Sequence, residues 1–232
     1  MNPFKAIKNY SEMLVKIAAY TFFVTLFLVI IIRTNHEGIN DFLIKLEPDF
    51  KVKLFDVEQS VMTLIIPFIL AFLSNSLKLH DKISTLFKIR YNFDSKYILV
   101  VICEKLNITY DINKLKNNRK KLMRQVFYKY TSSREEDETI SRHSIELAMN
   151  QWTSFWIVEE AIFFTVITII ILMFNGEWFI VLLLTLMVCI GVILMRSFYK
   201  MCTRYAEDQI MEILENTTWK REIMEKINEI LS

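Results

Sequence analysis

Residues 178–196 read WFIVLLLTLMVCIGVILMR, eighteen uncharged residues closed by Arg196. A helix rises about 1.5 Å per residue, so crossing a hydrocarbon core of roughly 30 Å takes about 20 residues, with about 17 to 25 usual. The run has the length and apolarity of a membrane span. Asn175-Gly176 stands before it as a tight-turn signal. On the far side of that turn Ala161 to Gly176 forms a second block, preceded by Trp152, Phe155 and Trp156.

Two more blocks lie upstream. Ile17 to Ile32 is uncharged between Lys16 and Arg33, whose long side chains can snorkel toward headgroups and lengthen the effective span. Gln59 to Leu77 is uncharged between Glu58 and Lys78, with Pro67 near its middle. One such block could be the core helix of a soluble protein. Four in a chain of 232 residues point to lipid, where helices that close their own backbone hydrogen bonds are the spanning form available.

Composition agrees. The chain is 53% hydrophobic and 23% charged, with a positive mean hydropathy of +0.30, so its apolar residues are segregated into blocks. Three Gly and three Pro are too few for a loop-rich β fold and favour long helices. The expected class is all-α: a polytopic helical membrane protein with four transmembrane helices. A cytoplasmic helical domain is expected between spans 2 and 3, and a cytoplasmic helix at the C-terminus. The net charge of +2 says little about partners. Cys103, Cys189 and Cys202 are far apart and odd in number, so a disulfide framework is not expected.

Orientation follows from basic residues, which are retained on the cytoplasmic side. Residues 34–58 hold three Lys and six acids, whereas residues 78–142 hold fifteen Lys or Arg and eight acids. The first segment is therefore expected outside and the second inside. Lys5, Lys8 and Lys16, and in the tail Arg196, Lys200, Arg204, Lys220, Arg221 and Lys226, place both termini in the cytoplasm. The expected organisation is a cytoplasmic amphipathic segment over 1–16, a first span over 17–33, an external loop over 34–58 and a second span over 59–77. The cytoplasmic helical domain follows over 78–158, leading into a third span over 159–176; a fourth span occupies 177–195 and the cytoplasmic tail 196–232. No small-residue cleavage site follows Arg33, so the first block reads as an uncleaved span.

In the cytoplasmic domain Asp94 can cap a helix beginning at Ser95, although the run Ile98 to Ile102 leaves a short strand open. Asp111 is the better cap. Leu115, Leu122, Met123, Val126, Phe127 and Tyr130 then recur at helical spacing on one face. The other face is basic: Lys114, Lys116, Arg119, Lys120, Lys121, Arg124 and Lys129 fall within residues 112–130, which hold no acid. Three readings fit this face: a solvated surface that enforces orientation, contact with anionic lipid headgroups, or a polyanion site for a nucleotide. No stacking motif or glycine loop supports nucleic acid, which is not expected as a partner. The acidic run at 135–138 reads as a solvated loop. A helix from about Ser141 is expected to continue into the third span. In the tail Met211, Leu214, Ile223, Ile227, Ile230 and Leu231 recur at three- and four-residue spacing, and Glu222 and Lys226 stand at i, i+4. The tail can pack on the cytoplasmic bundle or on another subunit. Asn107 and Asn216 match the glycosylation pattern by chance.

Polar groups within spans are costly and point to function. Glu159 and Glu160 sit at the inner edge of the third span, where they can reach headgroup water, cap the mouth of a pore, or pair with Lys78, Arg196 or Lys200. Ser60, Thr63, Pro67, Ala71 and Ser74 form a stripe of small or weakly polar residues that suits close helix packing or a water-filled path. Pro67 would mark a kink. Thr21 with Thr25, and Thr185 with Cys189, form weaker stripes. His36, His80 and His143 are isolated, no phosphate-cradling glycine loop or Gly-x-Ser-x-Gly elbow occurs, and no catalytic residue, metal or cofactor is expected.

The leading expectation is a non-enzymatic membrane sensor or effector that assembles as a homo-oligomer and couples its cytoplasmic helices to its spans, possible conduction included. The alternative is an anchoring or assembly subunit that recruits a soluble cytoplasmic protein through the basic helix and tail. The layout resembles small multi-span subunits of bacterial antiphage systems, which implies a role in defence or signalling. Lys, Asn and Ile usage suggests a bacterial inner membrane.

Overall fold

The computed structural model describes residues 7–46, 51–54, 57–132 and 140–231, and over the two short strands the backbone alone. The acidic run at 135–138 and the N-terminal Lys5 lie outside the described residues. The described chain is helical apart from one ribbon, β1 (Lys51–Leu54) paired antiparallel with β2 (Val57–Ser60), Lys51 opposite Ser60. Three described helices, α1 (Tyr10–Asn35), α9 (Arg142–Phe174) and α10 (Trp178–Glu215), are long and apolar enough to cross a membrane. A fourth crossing is available if α3 (Met62–Leu77) and α4 (Leu79–Leu86), bent by 61° at their junction, count as one. The chain divides into two compact units.

The apolar unit comprises residues 14–80 and 153–197. Leu28, Leu172 and Leu184 pack at its centre with Val24, Phe164 and Ile180. Gly176, at φ +78, takes the left-handed conformation that ends α9 and turns the chain into α10. Gly191 lets α10 lie close on α9: a Cβ there would stand 3.0 Å from Ile162 Cγ1. In its most apolar stretch α10 has only 6% of residues buried, against 28% for α1 and 33% for α9. Its Phe179, Leu182, Leu186, Ile190 and Ile193 face outward. Helix α2 (Glu37–Leu46) follows α1, with His36 Nδ1 accepting from Ile39 N.

The small-residue stripe of α3 is turned inward: Thr63, Pro67, Ala71 and Ser74 are all buried. Ser60 was expected on this helix and instead ends β2, because α3 begins only at Met62. α3 also runs unbroken through Pro67. The bend falls at Lys78, which has φ 49 and ψ 58, so the hinge is a left-handed residue and not the proline.

The polar unit comprises residues 1–13, 81–152 and 198–232. Asn9 caps α1, its Oδ1 accepting from Glu12 N, and the Glu12 carboxylate accepts from Lys8 N just before the cap. α5 (Ile89–Phe93), a π-helical segment (Asp94–Leu99) and α6 (Val100–Lys105) follow without interruption, so the β-branched run is helix. Asp94 lies inside this helix and does not cap it; its carboxylate is bound to Arg119. Asp111 does cap α7 (Ile112–Asn117), accepting from Asn113 N at 2.7 Å. The basic helix then breaks at Asn118, and α8 (Arg119–Val126) carries on.

Leu115, Leu122, Met123, Val126, Phe127 and Tyr130 are buried in one core with Ile102, Ile210 and Ile213. Phe93, Trp152 and Tyr199 add edge-to-face ring pairs, Phe93 to Trp152 at 4.7 Å. The last helix, α11 (Thr217–Leu231), is capped by Asn216 and packs Ile223 and Ile227 into this core within the same chain. Met211, expected on the buried face, is 44% exposed, and Ile210 and Ile213 take that role. Glu222 does not pair with Lys226: it accepts from Lys129 Nζ and Tyr130 Oη, and Lys226 turns to Glu229.

Candidate functional site

A carboxylate among apolar side chains demands donors, because a buried ion without them costs several kcal/mol. In the apolar unit Glu160 is such a group. It lies on α9 one turn after Trp156 and is 1% exposed. Thr21 of α1 donates to Glu160 Oε2 at 2.6 Å, and Ser74 of α3 donates to the same oxygen at 2.7 Å. The bend at Lys78 turns the chain so that His80, second residue of α4, comes to Glu160: Nδ1 lies 3.4 Å from Oε1. The imidazole also lies against Trp156, with ring centroids 5.8 Å apart.

The two carboxylate oxygens therefore differ. Oε2 is held by two hydroxyls, and Oε1 faces an imidazole without a formed hydrogen bond. Among the described residues neither His80 nitrogen has a hydrogen-bond partner, although the side chain is buried. A proton between Nδ1 and Oε1 would make a charge-assisted bond; its loss would leave two acceptors facing each other. Thr21, Ser74 and His80, from three helices, thus converge on Glu160 of a fourth. Thr25, one turn on from Thr21, is committed elsewhere, donating to the Thr21 carbonyl at 2.7 Å.

The residues singled out in the sequence separate into two sets. Glu160 and Ser74 meet in this cluster. Glu159 is buried as well, about 100° further round the helix. Thr63 is bound to Arg33, whose Nη1 donates to its hydroxyl at 2.7 Å. His80 was passed over because no second His or Cys stands near it in sequence. Its spacing of six from Ser74 is off any helical face, and only the bend unites them.

The second set lies in the polar unit. Arg119 is bound to Asp94, with Tyr128 Oη donating to the other oxygen of that carboxylate at 3.3 Å. Burial pushes the Asp94 carboxyl above its ordinary range, against the pull of Arg119 and Arg90. Lys114 donates to the Leu231 carbonyl at 2.8 Å, which ties the basic helix to the end of α11. Lys120, Lys121 and Arg124 are exposed. Among the described residues no three His, Cys, Asp or Glu side chains gather as a metal site.

The pattern of one protein family, the YmfE protein family, matches residues 9–226, nearly the whole chain and every residue of the cluster. The chain belongs to the YmfE family. No curated protein and no solved structure matches it. The YmfE match spans the apolar helices and the basic helix alike, so both sets of residues lie within the matched stretch.

Proposed function

We propose that this protein is an integral membrane sensor or effector without enzymatic activity, a four-span subunit of the bacterial inner membrane with both termini in the cytoplasm. It works as a homo-oligomer in defence or signalling. The observation that carries the reading is the Glu160 cluster, because a carboxylate held by hydroxyls and an imidazole among apolar helices is an expensive feature whose default explanation is function. Glu160 fastens α1 and α3 to α9. Ser74, one of its donors, also belongs to the inward-turned stripe of α3. Opening a polar path along that stripe therefore requires Ser74 to leave Glu160, and the cluster acts as a latch on the spans. α9 carries Glu160 and begins at Arg142, among the helices assigned to the cytoplasm, which gives a continuous element for coupling. The sparsely buried apolar length of α10 supports self-association in the bilayer.

The test is leakage of potassium from liposomes containing the purified protein, with particle mass measured in detergent. Ser74→Ala and Glu160→Gln are expected to change the leak or the oligomer mass relative to the unaltered protein. Identical leak and identical mass in all three would overturn the latch.

A second reading is favoured by the exposed Lys120, Lys121 and Arg124: an anchoring subunit that recruits a soluble acidic protein. Neutralising these three would then abolish partner capture and leave oligomer mass unchanged.

A further inference from the structure

Arg119 stands between two cavities of the polar unit. One, of about 410 Å³, is lined by Arg90, Asp81, Asp94 and Tyr128 among others, so Arg90 and Arg119 already have counter-ions there. The other, of about 460 Å³, is lined by Tyr91, Lys116, Asn117, Asn118, Lys120 and Lys121, and Arg119 and Lys120 line both. Among the described residues no carboxylate lines the second cavity. Four cations share it with two amides and one aromatic ring. The Arg119 guanidinium lies 5.3 Å from the centre of the Tyr91 ring, which fixes a flat cationic platform on one wall.

Arg119 is paired with Asp94, and the three lysines beside it raise the local potential for anions. Lys116 and Lys120 share a face at i, i+4 spacing, and across the break at Asn118 the cleft brings Lys116 from α7 together with Lys120 and Lys121 from α8. The volume lies within the range of small-molecule sites, roughly 300 to 1,000 Å³. Arginine and lysine beside donor amides match phosphate oxygens, and one charge of this kind is best met by clustered phosphates.

We infer that the cleft between α7 and α8 binds a ligand carrying two or more phosphates, either a soluble nucleotide or the phosphate-bearing headgroup of a lipid. Arg119, drawn to Asp94 on one side, presents its other face to the ligand, while Lys116, Lys120 and Lys121 supply charge and Tyr91 offers a surface for a base. The site rests on the polar unit alone and stands whether or not Glu160 is a latch.

The test uses the full chain in phosphatidylcholine nanodiscs, titrated calorimetrically with inorganic pyrophosphate and with ADP. Binding of both is expected, weakening as salt is raised. Lys120→Gln with Lys121→Gln should weaken both by about tenfold or more, at about 1 kcal/mol for each lysine near an anion. Both side chains are exposed, so the melting temperature should not move. Arg124→Gln, outside the cleft, should leave affinity unchanged. Tyr91→Leu should weaken ADP and spare pyrophosphate. Nanodiscs containing cardiolipin, whose headgroup carries two phosphates, distinguish the sources: loss of pyrophosphate binding there assigns the cleft to headgroups, and unchanged binding assigns it to a soluble ligand. Failure of pyrophosphate to bind in phosphatidylcholine, or an affinity indifferent to the double lysine substitution, overturns the inference.

Discussion

His80 Nδ1 lies 3.4 Å from Glu160 Oε1, eighty residues apart in sequence and both enclosed by protein. The contact exists because Lys78 adopts a left-handed conformation and redirects the chain after α3. It is also incomplete, since Oε1 and both imidazole nitrogens lack hydrogen bonds while Oε2 has two. A cluster selected for stability alone would be expected to satisfy all of these atoms or to be replaced by packed apolar side chains.

Substitution at Glu160 separates stability from function. Glu160→Ala leaves the Thr21 and Ser74 hydroxyls without their acceptor in an apolar surround, and should destabilise the apolar unit by about 3 to 5 kcal/mol. Glu160→Leu leaves the same hydroxyls without an acceptor but fills the volume, so it should cost less than Glu160→Ala by the cavity contribution. Thermal melting in detergent reads both. If Leu melts as low as Ala, the cluster is a structural necessity and the latch loses its main support.

The α9 to α10 contact is set by the absence of a side chain at Gly191. A methyl added there meets Ile162 Cγ1 at 3.0 Å and Cδ1 at 3.2 Å. Gly191→Val should therefore cost about 1 to 3 kcal/mol through overpacking, and Ile162→Ala in the same chain should return part of that loss. A double-mutant cycle on melting temperature checks it; additive effects would show that the two residues do not press on each other.

Leu115 and Val126 are wholly enclosed in the core of the polar unit. Leu115→Ala should cost about 2 to 5 kcal/mol, seen as a lower unfolding midpoint. Exposed Arg124→Ala on α8 should stay within about 0.5 kcal/mol of the unaltered protein.

Periodicity carried the local part of the fold. The Asp111 cap and the buried face from Leu115 to Tyr130 follow from residues a few places apart, as does the long helix entered near Ser141. What periodicity could not supply were pairings set by a turn between elements. The bend was placed at Pro67 because proline lacks a donor, yet helix ends tolerate a left-handed residue with less disruption, and Lys78 takes that place. Met211 misled because the tail face drifts from a three-four count over its length, which brings Ile210 and Ile213 inward. Asp94 looked like a cap since aspartate favours helix starts, but burial and Arg119 outbid that local preference. Glu160 is legible in the sequence as an acid at the edge of an apolar block. Its partner His80 is not, because hydropathy stops at the last apolar residue and the imidazole lies beyond it.

The attachment of α11 should depend on pH through Glu222. Its carboxylate accepts from Lys129 Nζ at 2.6 Å and from Tyr130 Oη at 2.9 Å, and these donors hold its pKa below the ordinary carboxylate value. A depressed folded-state pKa contributes stability above the unfolded value, which is lost as pH falls through the folded one. The unfolded value is near 4.3, about that of free glutamate, so the contribution is whole at neutral pH and declines below about pH 4. The pair is partly exposed, and screening keeps the effect modest, about 1 kcal/mol or less. Glu222→Gln should thus melt lower than the unaltered protein at pH 7, and the difference should close as pH falls through the acidic range. A gap that persists undiminished at pH 3 would mean that packing of residue 222, and not its charge, holds α11 in place.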